Sequence, residues 1–172
     1  MGVSIFIQDM VQQLLTLIKG TLPLRYLVLD GHFGNNKALQ MTRQCGLHLI
    51  SKLRHDAALY FPYAGAQGGG RPRKYGNQVD YDNLPQQYLK KASMEGAIQT
   101  RIYQATLLNK YFAQALNVVI IVKLNLKTGQ RSHVVLFSSD LDLSYDLLID
   151  YSIPSPKLYL AEKGFFGKVV IF

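Results

Sequence analysis

The sequence predicts an α/β fold carrying an antiparallel β insertion, and three observations predict it. Two short apolar runs, residues 24–29 and 47–53, flank a stretch with helical spacing, the order of a parallel strand pair covered by helices. A glycine-rich break follows at residues 65–76. Beyond it, residues 99–108, 117–126 and 131–137 alternate in the manner of paired strands.

The elements can be justified in order. Val3, Phe6, Ile7, Met10, Val11, Leu14, Leu15 and Ile18 recur at spacings of three and four, the stripe of an amphipathic helix. Gln8, Asp9, Gln12 and Gln13 interrupt its apolar character and no basic segment precedes it, so it reads as neither a secretion signal nor a membrane anchor. Gly20 and Pro23 end it. Residues 24–29 form a buried strand that stops at Asp30-Gly31. Asn35 or Asn36 caps a helix through about Gln44, with Ala38, Leu39, Met41 and Thr42 available to pack and Gly46 as the stop. A second strand runs through Leu49 and Ile50 to Arg54.

Residues 65–76 contain five glycines and the run Arg71-Pro72-Arg73-Lys74-Tyr75, which excludes a helix interior or a central strand and predicts an exposed basic loop. Lys127-Thr128-Gly129-Gln130 joins the last two strand-like runs as a hairpin. Ser138-Ser139-Asp140 offers cap residues for a helix with Leu143, Leu147, Leu148 and Tyr151 on one face. Ile153-Pro154-Ser155-Pro156 stops that helix at once. The apolar end, Gly164 to Phe172, shows no turn, cap or evident partner, the kind of end that favours aggregation.

Composition narrows the function. Apolar residues make up 48% and charged residues 17%, which excludes a disordered chain. Lys and Arg outnumber Asp and Glu by 19 to 11, a net +8 that points to a polyanionic partner. The single cysteine, Cys45, allows no intramolecular disulfide and suits a reducing cytoplasm. Asp30 is the leading chemical candidate, because a carboxylate at the carboxyl end of a parallel strand lies where α/β sheets place ligands. The competing reading is an Asp that only opens a turn. Arg71, Arg73, Lys74 and Tyr75 combine cations with an aromatic ring and suit phosphate contact and stacking. Period-two alternation puts Lys52 and Arg54 on one side of the sheet, extending that basic track towards Asp30. His32, His48, His55 and His133 lack metal-ligand spacing, Cys45 lacks an activating base, and Asp146 and Asp150 read as a solvated helix face.

The runs Tyr26-Leu27-Val28-Leu29-Asp30-Gly31-His32-Phe33-Gly34-Asn35, His48-Leu49-Ile50-Ser51-Lys52-Leu53-Arg54 and Gly70-Arg71-Pro72-Arg73-Lys74-Tyr75-Gly76, in that order, resemble bacterial insertion-sequence transposases of the Asp-Asp-Glu class. The resemblance covers residues 5–151. It implies a partial ribonuclease-H-like fold, with residues 24–29 as the fourth core strand, the strand at Leu49 as the fifth, and residues 60–137 as a β insertion. Phe137-Ser138-Ser139-Asp140-Leu141-Asp142-Leu143 resembles the entry to the last catalytic helix. In that class three carboxylates hold two divalent cations, Mg2+ or Mn2+, that activate water or a 3′-hydroxyl against a phosphodiester. Asp30 matches the second carboxylate. The implied partners are DNA at transposon ends and a second copy of the chain, with residence at the nucleoid in the cytoplasm.

Departures from the class set the remaining expectations. The first carboxylate has no counterpart. The Tyr-Arg-Glu-Lys signature, begun at Tyr151, would need Arg, Glu and Lys where Pro154, Leu158 and Phe165 stand. The expected organisation is therefore a partial catalytic core at 1–59, a basic loop and β insertion at 60–137, the start of the last helix at 138–151, and an out-of-frame tail at 152–172. The expected function is that of a transposase fragment that cleaves no DNA by itself. A non-catalytic nucleic-acid-binding protein with a basic β surface is the alternative.

Overall fold

A computed structural model of the chain describes residues 24–66 and 68–152, together with residues 9, 10, 12–14, 16 and 17 and the backbone of Gly167–Val170. The described residues between 9 and 17 are helical, as the spacing there predicts. Strand β1 (Leu24–Val28) leads through a single 3-10 turn (Gly31–Phe33) into helix α1 (Asn36–Gln44), and β2 (His48–Leu53) follows. A small antiparallel hairpin, β3 (Tyr60–Pro62) with β4 (Tyr75–Gln78), comes next. Then come β5 (Leu89–Glu95), β6 (Ile98–Leu107), β7 (Leu116–Asn125), β8 (Arg131–Ser138) and helix α2 (Tyr145–Ser152), with β9 (Gly167–Val170) last.

The larger strands form one mixed sheet in the order β5-β6-β7-β8-β2-β1-β9. Strands β1 and β2 are parallel, with Tyr26 beside His48 and Val28 beside Ile50. β8 runs antiparallel to β2, pairing Ser138 with Ile50 and Val135 with Leu53. Strands β5–β8 therefore continue the sheet formed by β1 and β2. The apolar terminus, for which the sequence offered no partner, runs parallel along β1 at β9. The proposed out-of-frame character of residues 152–172 otherwise falls outside the described residues.

Alternation along the strands builds two cores. Leu27, Leu29, Leu49, Val118, Ile120 and Phe137 face α1, whose Ala38, Leu39 and Met41 are buried against them. Tyr26, Ile50, Val119 and Leu136 face the other way and meet Leu143 and Leu148. Each fully buried aliphatic side chain of this kind contributes about 1.5–3 kcal/mol. The Asn35 side chain accepts from the Ala38 N–H at 3.0 Å and starts α1, while Gly46, at φ 71°, reverses the chain after it.

Three expectations need correction. Tyr75 and Gly76 belong to β4 rather than to the basic loop, because the chain pairs with β3 as soon as the glycine run ends. Strands β3 and β5 fall in stretches the sequence left unassigned. Helix α2 begins at Tyr145, so Ser138, Ser139 and Asp140 are not its caps. Those three residues instead bond to the strands beside them.

Candidate metal-binding and nucleic-acid-binding site

Asp30 stands just beyond β1, where the last rung to β2 is the Leu29 N–H donating to the Ile50 carbonyl at 2.9 Å. The Asp30 carbonyl accepts from the Ser51 hydroxyl at 3.0 Å and from the Phe33 N–H at 2.8 Å, which fixes the turn. Its side chain is exposed, and Oδ1 accepts from the Gly31 N–H at 2.6 Å. Both sequence readings thus apply to one residue, which opens a turn and presents a carboxylate at the strand end. The glycines around it have a steric cause. A Cβ on Gly34 would stand 2.1 Å from the Lys52 carbonyl oxygen, and one on Gly31 would stand 3.3 Å from the Lys52 Cβ.

Lys52 is exposed and lies beside the Asp30 turn, as expected. Arg54 is also exposed, but its guanidinium grips Asp56 through two 3.0 Å hydrogen bonds, so its charge is locally compensated. That contact holds the Asp56 carboxyl below its usual range. Among the described residues no three His, Cys, Asp or Glu side chains are grouped to hold a metal ion. Among the described residues, Asp30 stands at this strand end without a second carboxylate grouped beside it.

The other basic residues gather on the β3–β4 hairpin. The Arg73 guanidinium sits 4.8 Å from the Tyr63 ring centre, and Lys74 Nζ lies 5.6 Å from that of Tyr75. The Tyr75 ring meets Tyr60 edge-on at 5.5 Å, and Lys110 Nζ lies 4.9 Å from the Tyr60 ring. Arg73, Lys74 and Tyr75 are brought together as expected, and Arg71 is exposed nearby in sequence. Tyr60, Tyr63 and Lys110 complete the cluster and were missed. The run Tyr60-Phe61-Pro62-Tyr63 just before the glycines was the available signal. Cations held over aromatic faces keep their charge while losing some side-chain freedom, which suits a polyanion surface.

The histidines serve the framework. His133 stacks on Tyr81 at 4.6 Å, and its Nε2 donates to the His55 carbonyl at 2.7 Å. Burial pushes the Tyr81 hydroxyl up to about 12, and that group donates to the Ala57 carbonyl at 2.7 Å. Cys45 is half-buried, and burial raises its thiol, which fits an unreactive role.

Sequence reasoning read Asp140 as a helix cap and missed its place between β1 and β8. It is buried, and Oδ2 accepts from the Tyr26 hydroxyl at 2.6 Å and from Arg25 at 3.0 Å. Burial alone would raise its pKa. The Tyr26 hydroxyl, the Asp142 N–H and the Arg25 guanidinium outweigh that and lower it. Tyr26, at the middle of β1, lies four residues before Asp30, about 13 Å along an extended strand, so Asp140 is tied to the strand well away from the exposed carboxylate.

Over residues 7–110 the sequence matches the family model of the DDE superfamily endonucleases. No curated protein and no solved structure matches the chain. The family implies a ribonuclease-H-like fold, a DNA substrate and a divalent metal, and the mixed sheet with Asp30 at a parallel strand end agrees with the first of these. No helix among the described residues is long and apolar enough to cross a membrane. With the match spanning more than half its length, the chain belongs to the DDE superfamily of endonucleases.

Proposed function

We propose that the chain is a transposase-type member of this family that grips DNA on the β3–β4 hairpin and offers Asp30 as one carboxylate for Mg2+ or Mn2+, without cleaving DNA on its own. The observation that carries the binding half is the alternation of Arg73, Lys74 and Lys110 with the rings of Tyr63, Tyr75 and Tyr60. Lysines and arginines neutralise backbone phosphates, and the tyrosine faces are available to sugars and bases. Lys52 and Arg71 extend the basic surface.

The expectation on cleavage follows from donor count. Two cations about 4 Å apart need several carboxylates to bridge and flank them, and one carboxylate engaged with the Gly31 N–H does not supply that set. The same observation favours a second reading, a nucleic-acid-binding protein that holds no metal at all.

Two measurements test these readings. Fluorescence anisotropy with a labelled duplex at low salt should show binding that weakens in Arg73→Gln and Lys74→Gln. Undetectable affinity would sink the DNA reading. Calorimetric titration with Mn2+ should show saturable binding lost in Asp30→Asn, whereas no such binding selects the metal-free reading. Nicking of a duplex with Mg2+ or Mn2+, abolished by Asp30→Asn, would overturn the expectation of no cleavage.

A further inference from the structure

The sheet face that carries α1 also holds, over β6–β8, a cavity of about 240 Å3. Gln99, Arg101, Tyr103 and Arg131 line it from the sheet, and Asn83 and Gln86 close it from the segment between the hairpin and β5. Its two guanidinium groups are not equivalent. Arg131 pairs with Asp82 and donates to the Tyr81 carbonyl. Arg101 is half-buried and has no ion pair or hydrogen bond among the described residues. A partly desolvated cation without a partner is a standing demand for an anion.

The Asp82 carboxylate at the rim is taken up by Arg131, Leu84, Val122 and Leu124 make an apolar floor, and the polar lining says which anion Arg101 would take. Asn83, Gln86 and Gln99 each offer both a donor and an acceptor, and the Tyr103 ring adds an apolar wall. At about 30 Å3 per water, the space holds more than a bare oxyanion needs. A flat, polar-edged group esterified to phosphate matches both the charge and the room. We propose that this cavity binds a phosphorylated nucleoside, with Arg101 on the phosphate and the side-chain amides on the base or sugar. The source is either a free nucleotide or one residue of a nucleic-acid strand. The site stands apart from Asp30: β6 lies four strands from β1, about 19 Å at the usual spacing.

The test titrates the full chain with deoxyadenosine 5′-monophosphate, with inorganic phosphate and with a thymidine tetranucleotide, read by calorimetry and thermal shift. Saturable nucleotide or oligonucleotide binding is expected. It should weaken at least about tenfold in Arg101→Gln, the loss typical of one charge-assisted hydrogen bond, and stay unchanged in Lys37→Gln on the exposed face of α1. Inorganic phosphate should bind at least tenfold more weakly than the preferred probe. Tighter binding of the monophosphate assigns a free nucleotide, and tighter binding of the tetranucleotide assigns a strand. Duplex affinity through the hairpin should be unaffected by Arg101→Gln, which separates this site from the DNA surface. No saturable binding, equal affinity for inorganic phosphate, or wild-type binding by Arg101→Gln would overturn the proposal. If that variant fails to fold, Gln86→Ala on the exposed wall carries the test, with a several-fold loss expected and no loss overturning it.

Discussion

The Tyr26 hydroxyl donates a 2.6 Å hydrogen bond to Asp140 Oδ2, tying the middle of β1 to the turn that leads into α2. The two groups shift each other in opposite senses. Asp140 is lowered from the ordinary 3.8, and Tyr26 is raised above its ordinary 10.0 by burial and by the carboxylate it bonds.

The signs give a pH window. A carboxyl depressed in the folded state stabilises fully above the unfolded value and loses that contribution as pH falls below about 3.8. A raised tyrosine hydroxyl stabilises fully below about 10.0 and loses its contribution as pH climbs beyond it. Tyr26→Phe should cost about 1.5–3 kcal/mol near neutral pH and remove the alkaline loss that belongs to this hydroxyl. Urea denaturation from pH 3 to 11 measures both effects, and an unchanged alkaline limb would refute the assignment.

Asn117 serves the same junction from β7. Its Nδ2 donates to the Asp140 carbonyl at 3.0 Å and to the Leu143 carbonyl at 2.7 Å, while its Oδ1 accepts from Gln104 at 2.9 Å. Asn117→Leu keeps the volume and strands the Asp140 carbonyl in the interior. The expected loss is about 1–3 kcal/mol, with faster amide exchange at Leu148 as the local readout.

A pair of glycine substitutions separates crowding from backbone preference. Gly34→Ala drives a methyl into the Lys52 carbonyl, and a cost of about 1–3 kcal/mol is expected together with displacement of the Asp30 turn. Gly46→Ala meets nothing within 4 Å and costs only its positive φ, about 1–2 kcal/mol. Only the first should change Mn2+ binding at Asp30, as read by calorimetry.

Salt dependence reports on the hairpin. If Arg73 and Lys74 each contact a phosphate, neutralising either to Gln lowers the slope of log affinity against log salt by about 1. Arg54→Gln should change the slope less, because Asp56 already compensates that guanidinium. Equal slopes for all three variants would remove the hairpin from the interface.

The parallel pair and α1 were legible because every level agreed there. The apolar runs, the Asn35 cap and Gly46 all sit where the structure uses them. The position of Asp30 at the end of β1 was legible for the same reason, since a strand end and its turn are local. Strand β5 was not, because Leu89–Glu95 is largely exposed and carries two lysines, a glutamate and no apolar alternation. The pairing of β9 with β1 and the role of Asp140 depend on residues more than a hundred positions away. Neither leaves a local pattern. The Arg101 cavity was illegible because its walls come from separate segments that only the folded chain brings together.

Continuity between β8 and β2 restricts how this chain could have changed over its history. Four consecutive residue pairs join β8 to the strand beside the Asp30 turn, so excising β5–β8 would bare a full rim of backbone amides and carbonyls on β2. The hairpin tip or the glycine run could vary freely, yet shedding or exchanging β5–β8 as a module would require rebuilding the flank of the strand that frames Asp30.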